Sequence, residues 1–174
     1  MTGVEYLDAR SAHSEDESRY LARLDALLPG ALMDRVDPEE VGSCWYGGAC
    51  VWLSVPDVPD GEAPVISNTL QVLYNAQFLG AYWGCGHLWD DYDERDPEHL
   101  HVEVGDLSPE RAAELAAAWL EAQLHRPLVR QEWDRPLLGP AVRWVLTDSD
   151  RVIGKRGFLL RRSQSLPDRV VPLI

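Results

Sequence analysis

Lysine is almost missing from this chain. Lys155 stands alone against fifteen arginines in 174 residues. With plentiful Ala, Leu and Asp, that skew points to a GC-rich bacterial coding genome of the actinobacterial kind. Charge of either sign is missing from Ala63 to Trp89. The run still carries Ser67, Asn68, Thr69, Gln71, Asn75 and Gln77, too many hydrogen-bonding side chains for a membrane span. It reads as a buried piece of a globular core. The first residues, MTGVEYLDAR, hold early acids and no apolar stretch of the signal-peptide kind, so a cytoplasmic location is expected. Three cysteines (Cys44, Cys50, Cys85) cannot all pair within one chain, and reduced thiols are the expectation there. No glycine-rich phosphate loop follows a strand. Gly154-Lys155-Arg156-Gly157 has neither the spacing nor the Ser/Thr of one. Repeats, low-complexity tracts and linkers are also missing, which leaves a single globular domain over 1–174.

What is abundant is acid. The net charge is −13, and it is uneven. Residues 1–142 carry 26 acids and 9 bases, a balance of −17, while 143–174 carry 3 acids and 7 bases, a balance of +4. An acidic body repels nucleic acid and anionic membrane and suits a basic protein partner. The bland alternative is that acidity serves solubility. Seven tryptophans supply core area and, at a surface, contacts for a partner or a homodimer.

Periodicity gives two main helices. The first spans about 14–28, with Ser14 as cap, Glu17 completing a capping box, and an apolar stripe of Tyr20, Leu21, Leu24, Leu27 and Leu28 that Pro29-Gly30 ends. The second spans 109–124. Ser108 caps it, Pro109 takes the first helical position, and Ala112, Leu115, Ala116, Trp119 and Leu120 form its buried stripe. Strands are expected at SCWYGGACVWLSV, with a turn at Gly47-Gly48, and at HLHVEV, LVRQEW, AVRWVLTD and RVIGKRGFLLR. Residues 67–83 fit helix or strand; two strands with a turn near Asn75 are preferred, because Gly80–Gly86 is poor helix material. In the strand reading Ile66, Leu70, Val72, Tyr74 and Phe78 share one face. The tail SLPDRVVPLI is expected to pack as an extended segment. The result is an α+β fold with a largely antiparallel sheet of about seven strands.

Chemistry concentrates in CGHLWDDYDERDPEHLHVEV, from Cys85 to Val104. Cys85/His87 and His99/His101 are each two apart, so on strands each pair points one way. A hairpin across the acidic loop would bring four N/S ligands together, as a tetrahedral zinc site needs. The spacing matches no established zinc pattern, and a solvated histidine face explains it as well. A cysteine hydrolase would use Cys85 as nucleophile, His87 or His101 as base and Asp90 or Asp91 to orient it. However, Gly84-Cys85-Gly86 is not a strand–turn–helix elbow. The acids also lack the glycine and spacing of a calcium loop.

The binding reading needs no special geometry. Trp89 and Tyr92 sit among Asp90, Asp91, Asp93, Glu94, Asp96 and Glu98, with Arg95 as the one base. Aromatic anchors in an acidic patch suit a basic protein surface, the rings giving area and the acids steering the encounter. Arg143, Arg151, Lys155, Arg156, Arg161 and Arg162 would answer the acidic body, within the chain or in a head-to-tail dimer. The sequence therefore points first to a non-enzymatic acidic protein-binding domain that needs no cofactor. A small immunity protein that neutralises a basic toxin enzyme is its narrower form. The alternatives are a zinc-dependent or cysteine hydrolase centred on Cys85, His87, His99 and His101, and a dimeric interaction domain.

Overall fold

The computed structural model describes residues 6–32, 35–36, 38–55, 69–84, 92–105, 107–134, 140–156 and 166–173. It is an α+β fold with two helices and nine strands in two antiparallel sheets. The chain forms two compact units, 1–124 and 125–174. The unit boundary is also a charge boundary. The first unit carries 24 acids and 6 bases, a balance of −18; the second carries 5 acids and 10 bases, a balance of +5.

In the first unit, α1 (Glu15–Leu32) and α2 (Pro109–Leu124) accompany a five-stranded meander. Its strands are β1 (Val41–Trp45), β2 (Ala49–Ser54), β3 (Thr69–Tyr74), β4 (Phe78–Gly84) and β5 (Leu100–Glu103), hydrogen-bonded in that order. The helices run side by side in the same direction. Arg19 meets Glu110 at 2.8 Å, Arg23 meets Glu114 at 3.0 Å, and Arg35 Nη1 donates to the Leu124 carbonyl at 3.1 Å. The last contact satisfies one of the carbonyls left open at the C-terminus of α2.

The caps act as the sequence indicates. Ser14 Oγ accepts from Glu17 N–H, and the Glu17 carboxylate reaches back to His13 N–H, one residue beyond the usual box partner. Ser108 Oγ accepts from Arg111 N–H. Two readings need correction. Pro29 does not end α1, which continues to Leu32. Burying Ala31 and Leu32 beside Leu28 outweighs the hydrogen bond that proline cannot donate. In α2 the buried side is Ala112, Ala113, Ala116, Ala117, Leu120, Gln123 and Leu124; Leu115 and Trp119 fall on its flank, half-buried.

Residues 69–84 are two strands with a turn at Asn75, as preferred. The Asn75 side chain accepts from the N–H groups of Gln77 and Phe78. The register Tyr74↔Leu79 puts Leu70, Val72, Tyr74, Leu79, Ala81 and Trp83 on the helix-facing side. Tyr74 stacks on Tyr20 of α1 at 4.5 Å, and Trp83 Nε1 donates to Gln123 of α2 at 2.9 Å. Phe78 goes to the opposite face, because the partners Tyr74 and Leu79 stand an odd number of positions apart, which reverses the alternation that sequence parity implies. Ile66 lies outside the described residues.

Tyr20 supplies a stability prediction. Its side chain is fully buried, and its hydroxyl has no hydrogen-bond partner among the described residues. Burial pushes the phenol well above the ordinary tyrosine range. Tyr20→Phe keeps the ring and removes the desolvated hydroxyl. It is expected to be neutral or to stabilise by up to about 1 kcal/mol in urea unfolding. A loss above about 1 kcal/mol would mean that the hydroxyl is hydrogen-bonded in solution.

The second unit is a four-stranded sheet of β6 (Leu128–Trp133), β7 (Ala141–Leu146), β8 (Arg151–Arg156) and β9 (Arg169–Pro172), in the order β8-β7-β6-β9. The apolar tail is therefore a paired strand, where the sequence indicates only an extended segment. Trp144, Leu128 and Leu146 are among its fully buried side chains. Arg130 is buried with them and meets Glu132 at 2.7 Å.

Candidate functional site

The β4–β5 hairpin carries the acidic stretch as its connection. Phe78↔Glu103, Leu79↔Val102, Gly80↔His101 and Ala81↔Leu100 are partners. The hairpin expected in the zinc reading joins the Cys85/His87 stretch to His99/His101; here β5 pairs with residues 78–81, and His101 stands opposite Gly80. Cys85, His87, Trp89, Asp90 and Asp91 lie outside the described residues. Tyr92, Asp93, Glu94, Asp96, His99 and His101 are described, and they assemble on the sheet face opposite the helices.

Glycine makes the platform. A Cβ at Gly80 would stand 2.9 Å from the Tyr92 hydroxyl and 2.9 Å from Phe78 Cε2. The bare backbone at Gly80 therefore lets Tyr92 fold back onto the strand. The Tyr92 hydroxyl lies 2.7 Å from His101 Nδ1 and 3.2 Å from the Leu100 carbonyl. One arrangement satisfies both contacts: the hydroxyl donates to the carbonyl and accepts from a protonated Nδ1. Rings surround it. Tyr92 stacks on His99 at 5.6 Å and on Phe78 at 6.1 Å, and the edge of Tyr82 meets Tyr92 at 5.8 Å and His99 at 5.5 Å. Behind Tyr82 runs a buried polar chain. Tyr82 hydroxyl donates to Gln71 Oε1 at 3.0 Å, Gln71 Nε2 donates to Thr69 Oγ1 at 2.9 Å, and Thr69 Oγ1 donates to the Gly84 carbonyl at 3.4 Å. Such a satisfied network fixes ring positions.

The acids sit on tight turns built on this platform. Asp93 Oδ1 accepts from Arg95 N–H, and Asp96 Oδ1 accepts from Glu98 N–H, each at 2.9 Å. Asp96 N–H donates to the Asp93 carbonyl and His99 N–H to the Asp96 carbonyl. Asp93 and Asp96 therefore serve local structure as well as charge. His99 anchors the turn. Its Nδ1 lies 2.9 Å from the Asp93 carbonyl, its Nε2 is 3.6 Å from Asp96 Oδ2, and its side chain is 3% exposed. Burial, then the charges of Glu94 and Asp93, push the Tyr92 phenol up to about 12.

The two described histidines of the zinc reading are thus engaged locally. His99 is held by the Asp93 backbone and Asp96, and His101 by Tyr92. Among the described residues, no group of three His, Cys, Asp or Glu side chains could hold a metal ion. What the arrangement provides is a rigid acidic turn. Asp93 and Glu94 are exposed and, among the described residues, have no ion-pair partner. By contrast, Glu110 and Glu114 of α2 are answered by Arg19, Arg23 and Arg111; a backbone hydrogen bond and then Arg19 hold the Glu110 carboxyl below the ordinary range, and Arg111 and Arg23 do so for Glu114.

The described residues Arg143, Lys155 and Arg156 of the second unit do not form one patch. Arg143 lies over the Trp133 ring at 5.0 Å and donates to Gln131, so it is part of the sheet's packing. Lys155 and Arg156 are exposed on adjacent, oppositely directed positions of β8. Arg161 and Arg162 lie outside the described residues.

Sequence reasoning missed Phe78, Gly80, Tyr82 and Gln71 as parts of the site. Their signal is the β4–β5 register, which no local pattern carries. Among the described residues, no helix is long and apolar enough to cross a membrane. Comparison with protein-family models, with curated proteins and with solved structures finds no match for the chain.

Proposed function

We propose that this chain is a non-enzymatic acidic binding protein that docks a basic protein through the turn Tyr92–Glu98. One observation carries the reading. Glu110 and Glu114 of the helix pair are answered by arginines, while Asp93 and Glu94 are exposed, without an ion-pair partner among the described residues, and fixed on an aromatic–histidine platform. A preorganised charge loses less entropy on binding than a floppy one. The −18 balance of residues 1–124 adds a long-range field of the same sign. The narrower form is a cytoplasmic immunity protein that covers the basic substrate groove of a toxin enzyme. It rests on size, charge and the arrangement of the turn.

The test neutralises the turn without unfolding it. In the double variant Asp93→Asn, Glu94→Gln, the asparagine keeps the Oδ1 acceptor for Arg95 N–H. Association with the basic partner at low ionic strength is expected to slow about tenfold, with a flatter salt dependence and little change in dissociation. Folding stability should move by less than about 0.5 kcal/mol, since exposed charges contribute little. Stopped-flow association rates across a salt series measure this. A rate unchanged at low salt removes the turn from the interface.

A further inference from the structure

Cys44 and Cys50 stand directly opposite each other in the antiparallel pair β1–β2. Both side chains therefore leave the same face of the sheet, with Cβ atoms ~4.5–5.5 Å apart. Tyr46 N–H donates to the Gly48 carbonyl at 2.9 Å. Two residues back along each strand, 44 and 50 fall at another hydrogen-bonded pair, where Cα atoms are ~5.5 Å apart. That lies within the span of ~4.4–6.8 Å that a disulfide bridges. The two thiols differ in access. Cys50 is 0% exposed, whereas Cys44 is half-exposed on the edge strand.

We propose that Cys44 and Cys50 form a modification site, a dithiol that a low-molecular-weight disulfide oxidises to an intrachain disulfide. In the first step the Cys44 thiolate attacks one sulfur of the small disulfide. The oxidant's S–S bond breaks, one small thiolate leaves, and Cys44 carries a mixed disulfide. In the second step Cys50, having lost its proton to solvent, attacks Cys44 Sγ. The mixed disulfide breaks and the second small thiolate leaves. The protein gives up two electrons and two protons, and the oxidant takes them as two thiols. Cys44 is the attacking group because it can be reached; Cys50 is the resolving group because it cannot. Burial raises the Cys44 thiol above its ordinary range, so the first step is slow at neutral pH and quickens as pH rises. The second step is intramolecular between side chains at directly opposite positions of the strand pair, so the mixed disulfide does not accumulate. The product ties the edge strand to β2 just beneath a hairpin tip that exposes Trp45 and Tyr46.

The experiment uses the full chain with Cys85→Ser, treated with oxidised glutathione. Both remaining thiols are expected to disappear together. The denatured intact mass should fall by two hydrogens, and non-reducing peptide maps should join Cys44 to Cys50. With Cys50→Ser added, the reaction should stop at one glutathionyl group on Cys44. A stable glutathionyl adduct on the protein that keeps both cysteines would overturn the proposal. So would survival of both thiols under conditions that oxidise the same protein in denaturant. The peptide map of the two-cysteine protein decides the matter even if the Cys50→Ser chain fails to fold.

Discussion

Glu132→Ala is expected to destabilise the second unit by about 3–5 kcal/mol. Glu132 and Arg130 are two apart on β6, so their side chains share a face with Leu128, and the register adds Trp144 and Leu146 to that face. The pair is 2.7 Å apart, with the Arg130 side chain 5% exposed. A guanidinium cannot shed its charge by deprotonating. Removing the carboxylate takes a 2.7 Å ion-pair partner from a buried charge, which costs far more than losing a surface pair. Arg169 also approaches Glu132, at 3.9 Å, but its side chain is 64% exposed. Arg169→Ala should therefore cost less than about 0.5 kcal/mol. Replacing both buried partners with leucine should recover most of the loss, because the pair's attraction roughly offsets its own desolvation. Urea unfolding of the four proteins measures this cycle. A loss below about 1 kcal/mol for Glu132→Ala would place Arg130 in contact with water.

Gly80→Ala is expected to cost about 2 kcal/mol and to lift the acidic turn off its platform. An alanine in a strand ordinarily gains ~0.4–1 kcal/mol over glycine by restricting the unfolded chain. Here the new methyl group would meet the Tyr92 hydroxyl and Phe78 Cε2, each at 2.9 Å. Phe78 and Tyr92 are pinned by stacking, and Tyr92 also by His101 and Leu100. Overpacking of that kind costs ~1–3 kcal/mol and outweighs the entropic gain. Two readouts separate it from general instability. Hydrogen exchange at Asp96 and His99, whose N–H groups close the turn, should quicken. The Tyr92 phenol should also fall from about 12 toward the ordinary 10, because Tyr92 regains solvent. The sign follows for the parent protein. A phenol raised on folding stabilises fully below its unfolded value, and that contribution is lost as pH rises from about 10 to about 12. The variant should lose less stability over that window. Unchanged exchange and an unchanged phenol titration would mean that the strand shifts and the turn stays.

The parts of the fold legible in the sequence are those set by local chemistry. Ser108-Pro109 marks the start of α2, and Leu124 before His125-Arg126-Pro127 marks its end. Asn75 marks a turn because its short side chain replaces a backbone partner. Gly47, at φ +68°, marks another because few other residues adopt that backbone. The extension of α1 past Pro29 was hidden, since it depends on burying Ala31 and Leu32, a tertiary gain. The flank position of Trp119 was hidden for the same reason. Small alanines, and not the largest apolar ring, take the buried side of α2. In the candidate site, the sequence showed Tyr92 among acids and the His99/His101 alternation. It did not show that Gly80 admits Tyr92, because that contact joins residues from two strands whose register is set by the whole sheet.

The most direct test of the docking account is quantitative capture from an extract of the protein's native cells at low ionic strength. Tagged full chain is compared with the Asp93→Asn, Glu94→Gln variant. The account predicts one protein of basic isoelectric point, retained in stoichiometric amount by the parent, released by salt, and strongly depleted on the variant. Equal recovery on both proteins, or a stoichiometric partner that is acidic and insensitive to salt, would contradict it.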